Sequence, residues 1–203
     1  MEEGYQNSGT LTVKKKVFDG NTRKTIGLAA VLVLLSFAVR AQKFVVDKGE
    51  IGFSSNASLE MIQATSDKVS GLIDPSNNQF AFLVNIQSFK GFNSELQRQH
   101  FNENYMESEK YPKATFSGKI IEQVDFSRDS TYEVRAKGDL DIHGQKQSRI
   151  IKSKLTIKNG QVMIESRFIV PLTDHIITIP KIVSQKIATE IEVHFKASLL
   201  RQK

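Results

Sequence analysis

Between residues 132 and 142 the chain changes side-chain character at every step. Tyr132, Val134, Ala136, Leu140 and Ile142 share one parity, and Glu133, Arg135, Lys137, Asp139 and Asp141 share the other. A period of two puts these sets on opposite faces of an extended strand and fits no helix. A strand with one apolar and one charged face belongs to an antiparallel sheet that is wet on one side. The apolar face must be covered, so the neighbouring segments have to supply more strands of the same kind.

They do. A short alternation at 44–53 is interrupted at Gly49, an irregular strand is expected within 54–66, and another at 69–73 ends in Asp74-Pro75-Ser76-Asn77-Asn78, a turn signal. Phe80, Phe82, Val84 and Ile86 then share a face, against Ala81, Leu83, Asn85 and Gln87. A strand is expected at 114–124. Ile151, Leu155 and Ile157 alternate with Lys152, Lys154 and Lys158, and Asn159-Gly160 is a strong two-residue hairpin signal leading into Val162, Ile164, Ser166, Phe168 and Val170. Ile187, Ile191, Val193, Phe195, Ala197 and Leu199 face away from Glu190, Glu192, His194 and Lys196. Roughly eight or more strands in one stretch favour closure into a barrel, which removes exposed edges.

One stretch breaks the pattern. Ser94-Glu95-Leu96-Gln97 fits a capping box, Leu96, Phe101 and Tyr105 recur at helical spacing, and Pro112 blocks continuation. The fold expected is all-β: an antiparallel barrel with one short helix, about 94–106, inserted between strands.

Residues 1–41 read as a signal peptide with a polar N-terminal extension. Lys14, Lys15, Lys16, Arg23 and Lys24 precede an uncharged run at 26–39, and Val39 and Ala41 occupy the small-residue cleavage positions. At about 1.5 Å per residue that run reaches only about 21 Å, short of a hydrocarbon core about 30 Å thick. The expectation is an exported barrel domain at 42–203 with no stable membrane span after cleavage. Cysteine is absent, which rules out disulfides, thiolate metal sites, cysteine nucleophiles and a lipid-bearing cysteine. Of 28 Lys/Arg and 22 Asp/Glu, six and three lie in 1–41, leaving 22 and 19, a net +3. Such a balance serves solubility and is no nucleic-acid footprint.

No Gly-rich phosphate loop, zinc motif or G-x-S-x-G elbow is present, and the four histidines form no H-x-H or H-E-x-x-H pair. His194 reads as solvated, Asp174-His175 as a polar turn after Pro171, and His143-Gly144 as a hairpin corner. The reading assigns no catalytic residue, metal or cofactor and takes the chain as a non-enzyme. Thirteen phenylalanines, four tyrosines and no tryptophan indicate an aromatic and aliphatic interior. Face alternation alone does not separate a filled interior from an open one.

The stretch SFKGFNSELQRQHFNENYMESEKYPKATFSGKI resembles the YceI-like family. GDLDIHGQKQSRII is similar to its strand-and-turn motif, and FIVPLTDHIITIPKIVSQKIATEIEVHF to its C-terminal segment, in the family's order. Gln145-Lys146-Gln147 departs from the Val-Thr-Lys common after that glycine. The resemblance implies an extended, lipocalin-like barrel, typically periplasmic, that holds a polyisoprenoid or similar long-chain isoprenoid lipid such as a quinone or polyprenyl phosphate. It implies no cofactor and no reaction. Homodimerisation is left open, and the alternative is a ligand-free exported stress or interaction module with a filled core. For an open pore, face alternation selects Phe80, Phe82, Val84, Ile86, Val134, Ala136, Leu140, Ile142, Ile164, Phe168, Ile191, Val193 and Phe195 as lining. Arg98, His100, Asn102 and Tyr105 are the candidates for a polar mouth.

Overall fold

The amphipathic segments pair, each with the next, into an antiparallel sheet. The computed structural model describes residues 42–202; the signal-peptide reading of 1–41 lies outside the described residues. The strands are β1 (Phe44–Asn56), β2 (Met61–Ser66), β3 (Val69–Asp74), β4 (Gln79–Asn85), β5 (Lys113–Ile120), β6 (Ser130–Ile142), β7 (Gln145–Lys158), β8 (Gln161–Pro171) and β9 (Glu190–Arg201). β2 and β3 act as two halves of one broken strand. β3 meets the start of β1, with Phe44 opposite Ile73, and β2 meets its end, with Ile51 opposite Ser66. β9 pairs along β1 from Phe44 to Ser54 and closes an eight-stranded barrel.

Three expected boundaries shift. The region 54–66 is no single strand: β1 runs to Asn56, and a turn separates it from β2. β5 ends at Ile120 rather than at 124, because the following loop crosses the barrel end and seats Phe126, 6% exposed, against Phe44 with ring centroids 5.6 Å apart. β9 starts at Glu190, so Ile187 belongs to the preceding connection. The break in β1 is a register shift between Val46 and Lys48, just before Gly49.

The turns divide the two ends by character. Asn159-Gly160 and His143-Gly144 both have positive φ at both residues, 52° and 75° in the first, 54° and 69° in the second. That is the backbone of a type I′ hairpin, whose twist matches the flanking strands. At one end Phe44, Phe126, Ile157, Val162 and Leu199 fill the interior completely. The other end carries the β1–β2 turn, the β4–β5 excursion, the His143-Gly144 hairpin and the long β8–β9 connection.

The excursion is anchored before it is helical. Ile86 N–H donates to the Pro112 carbonyl at 2.9 Å, joining its two ends. The Ser94 hydroxyl accepts from Gln97 N–H at 3.2 Å and starts α1 (Glu95–His100). Gln97 reaches one residue further than a capping box requires, accepting from Asn93 N–H at 3.0 Å. The expected single helix to 106 instead widens into a π-turn over Phe101–Tyr105. Phe101 lies 5.3 Å from Phe53, 5.8 Å from Phe89 and 5.1 Å from Phe92 between ring centroids. Aromatic pairs contribute about 0.5–1.5 kcal/mol each beyond burial, so this cluster holds the excursion to the barrel wall.

Candidate functional site: an apolar cavity open at one end

The barrel is not filled along its whole length. Above the Phe44–Phe126 plug lies a cavity of about 510 Å³, within the range of small-molecule sites. Every wall position selected by face alternation lines it: Phe80, Phe82, Val84, Ile86, Val134, Ala136, Leu140, Ile142, Ile164, Phe168, Ile191, Val193 and Phe195. Ile86 does so from a 3₁₀ turn just past β4. Phe116, Phe80, Phe82 and Phe195 form a chain of rings across the interior, at centroid spacings of 4.9, 6.0 and 5.2 Å.

Lining residues at the deep end, such as Ile73, Ile120 and Leu155, are buried, whereas Leu96, His100 and Lys186 at the helical end are exposed. The cavity therefore opens between α1 and the β8–β9 connection. Ser153 and Ser166 place a polar point in the wall. The Ser153 and Ser166 hydroxyls, opposite each other on β7 and β8, lie 2.7 Å apart. Two hydroxyls bonded to each other use one O–H, so the pair keeps one donor for another acceptor.

The four candidates for the polar mouth separate. His100 and Tyr105 line the opening, and burial pushes the Tyr105 phenol up, away from ionisation. Arg98 and Asn102 do not reach the cavity. The Arg98 guanidinium turns back along the helix to Glu95, three residues away, its Nε 2.9 Å from Oε2. Asn102 Nδ2 donates to the Arg98 carbonyl at 3.0 Å, and its buried Oδ1 has no partner. A shared helix face brought these two residues together but pointed them away from the opening.

Sequence reasoning did not assign the other half of the mouth. Leu172, Ile177, Val183, Lys186 and Ile187 from the β8–β9 connection line it, as do Phe89, Phe92, Phe101 and Met106 from the excursion. Neither group follows a strand period. Ile51 and Phe53 do alternate on β1, and the bulge after Val46 masked that signal.

Apart from His100, the histidines are arranged for structure. His143 Nε2 lies 2.7 Å from Glu107 Oε2 and its Nδ1 3.1 Å from the His175 carbonyl, which ties the π-turn to the hairpin and to the β8–β9 connection. Neither His143 nor Glu107 lines the cavity. His194, read as solvated, is half-buried with its ring over Gly52. Asp174 pairs with Arg149 at 3.1 Å rather than orienting His175. Among the described residues no cluster of His, Asp and Glu is placed to hold a metal ion.

His175 is 1% exposed, with Nδ1 3.1 Å from the Gln145 carbonyl. Burial holds its imidazole below the ordinary value of 6.5, outweighing hydrogen bonds to the Gln145 and Ile142 carbonyls that act the other way. The folded state thus favours neutral His175. Its contribution is complete above the unfolded value near 6.5 and is lost as pH falls towards the lower folded one. Thermal midpoints should fall as the pH drops from about 7 to about 5, and His175→Gln should flatten that slope. An unchanged slope in the variant excludes His175 as its source. The hydrogen-bonded carboxylates of Asp74 and Glu122, held below 3.8 and 4.5, act only in more acidic solution.

A model of the YceI-like domain matches residues 41–199, and no curated protein matches in sequence. A polyisoprenoid binding domain from Saccharophagus degradans superposes with a TM-score of 0.64 at 15% identity, covering 80% of this chain and 100% of that one. Burkholderia cenocepacia BcnA follows at 0.61 and 14%, covering 74% and 95%. The Campylobacter jejuni YceI protein gives 0.52 and 14%, covering 66% and 81%. At these identities the structures speak for the fold. The domain match spans nearly all of the barrel, ending two residues short of the end of β9, and with it this chain belongs to the YceI-like family.

Proposed function

We propose that the barrel binds a long-chain isoprenoid lipid, apolar chain inward, and carries or stores it as an exported periplasmic protein. The observation that supports this most directly is the continuous apolar cavity, walled by aromatic and branched side chains and open at one end. Its contents would be held mainly by removal of apolar surface from water. Burying about 400 Å² of ligand at about 25 cal/mol per Å² gives roughly 10 kcal/mol before ordering costs. His100, Tyr105 and Lys186 at the opening would set the orientation of a polar head group more than the affinity. The polyisoprenoid binding named for the Saccharophagus degradans domain fits a cavity of this chemistry. The signal-like leader supports export.

The test is native mass spectrometry of residues 42–203 produced by secretion, followed by organic extraction and lipid mass analysis. A stoichiometric adduct whose extract shows isoprene-unit mass steps is expected. A barrel that arrives empty and takes up no added polyprenol or quinone would overturn the proposal and favour the ligand-free module.

A further inference from the structure

The open end of the barrel also carries the most exposed large apolar side chains among the described residues. Ile182 is 92% exposed, Leu59 67%, Ile176 66% and Leu96 60%, the four highest values for large apolar residues among the described residues. Leu96 on α1 lines the cavity mouth, while Leu59 in the β1–β2 turn and Ile176 and Ile182 in the β8–β9 connection directly precede the lining residues Glu60, Ile177 and Val183. Hydrogen bonds join these elements into one rim. Leu59 N–H donates to the Gln185 carbonyl at 2.9 Å, Gln97 Nε2 to Glu60 at 3.0 Å and Asn93 Nδ2 to the Met61 carbonyl at 3.0 Å.

The charge on the rim is one-sided where it is most apolar. From His175 to Thr189 the chain has no Asp or Glu but carries Lys181 and Lys186, both exposed, among its isoleucines. Of the acids around it, Asp174 pairs with Arg149 and Glu95 with Arg98, Glu60 accepts from Gln97 Nε2 at 3.0 Å, and Glu190 follows at the start of β9. Projecting isoleucine and leucine beside unopposed lysines suit the boundary of an anionic bilayer, where apolar tips enter the acyl region and lysines meet phosphates. Among the described residues no helix is long and apolar enough to cross a membrane.

We propose that this rim docks on the surface of an anionic lipid bilayer and presents the cavity mouth to it. This rests on the lipid-binding reading. Docking there lets an apolar chain slide between bilayer and barrel without each methylene crossing water, the step that would otherwise dominate the transfer barrier.

Residues 42–203 suit the test, because they lie within one compact unit of the chain. The experiment is flotation with vesicles of phosphatidylethanolamine and phosphatidylglycerol, and with phosphatidylcholine alone. The protein should float with the anionic vesicles and more weakly with the neutral ones. Ile182→Asp should lower partitioning about tenfold or more, and Lys181→Glu about fivefold or more with a reduced salt dependence. Neither side chain lines the cavity, so both variants should still take up polyprenol delivered from detergent. Wild type that stays at the bottom of the gradient, or Leu59→Asp and Ile182→Asp variants that float unchanged, would overturn the docking. So would variants whose only change is loss of a dimer, since the rim would then be a self-interface. Flotation without any uptake of polyprenol sinks the lipid-binding reading and leaves the docking standing.

Discussion

Phe82→Arg is expected to abolish ligand retention while leaving the barrel folded. Phe82 points inward from the middle of β4, only half-buried because its ring faces the cavity, and touches Phe80 and Phe195 at centroid distances of 6.0 and 5.2 Å. In the empty barrel an arginine there can extend towards the opening and stay hydrated. With the cavity occupied, the guanidinium must lose water against an apolar chain that offers no acceptor, at a cost of several kcal/mol. Affinity should fall at least about 100-fold, equivalent to about 2.7 kcal/mol. Val84→Asp should do the same, with greater damage to stability, because Val84 is 4% exposed. Lys154→Ala, on the outer face of β7, should change neither. The measurement is extracted lipid per mole of protein, with circular dichroism as the folding control. Equal loss in all three variants, with intact spectra, would remove the interior site.

Those wall positions were legible because strand periodicity is local. A residue two places from Val134 faces the same side wherever β6 lies, and closure turned every such face inward together. Positions set by tertiary contacts left no comparable trace. Nothing in the spacing of Leu172, Ile177, Val183 and Ile187 says that they meet α1 across the opening. The chain between β8 and β9 is held there by single bonds such as Ala188 N–H to the Ser55 hydroxyl at 2.8 Å. Arg98 shows the converse limit. Helical spacing correctly put it near Asn102, but a carboxylate three residues back was a nearer partner than any ligand. The end of β5 was misjudged for a related reason. Val124 keeps an apolar character that suits a strand, yet it packs on the core from a crossing loop. Whether the interior was filled depended on how far four phenylalanine rings extend, which no alternation pattern encodes.

The largest loss of stability is expected at Gly118 and Gly138, which lie directly opposite each other on β5 and β6. A Cβ built on Gly118 would stand 2.1 Å from the Lys137 carbonyl oxygen and 2.4 Å from the Gly138 Cα. One on Gly138 would stand 2.2 Å from the Ser117 carbonyl oxygen. These are backbone atoms, so no side chain can swing away, and the strands would have to part. Paired glycines at a close backbone approach mark a sharp bend of the sheet, of the kind that turns a barrel corner. Gly118→Ala should therefore cost about 3 kcal/mol or more, lowering the thermal midpoint by roughly 6–12 °C for a domain of this size. Adding Gly138→Ala should cost less than the sum, since the first substitution has already separated the strands. Gly160→Ala is the control. Its φ of 75° makes alanine strained, but nothing lies within 4 Å of the added Cβ, so it should lose only about 1–2 kcal/mol. If Gly118→Ala costs no more than Gly160→Ala, the close approach of β5 and β6 is not what shapes the barrel. If it costs the larger amount, ligand retention should fall with it, because Phe116 and Leu140, paired two residues along from this bend, line the cavity.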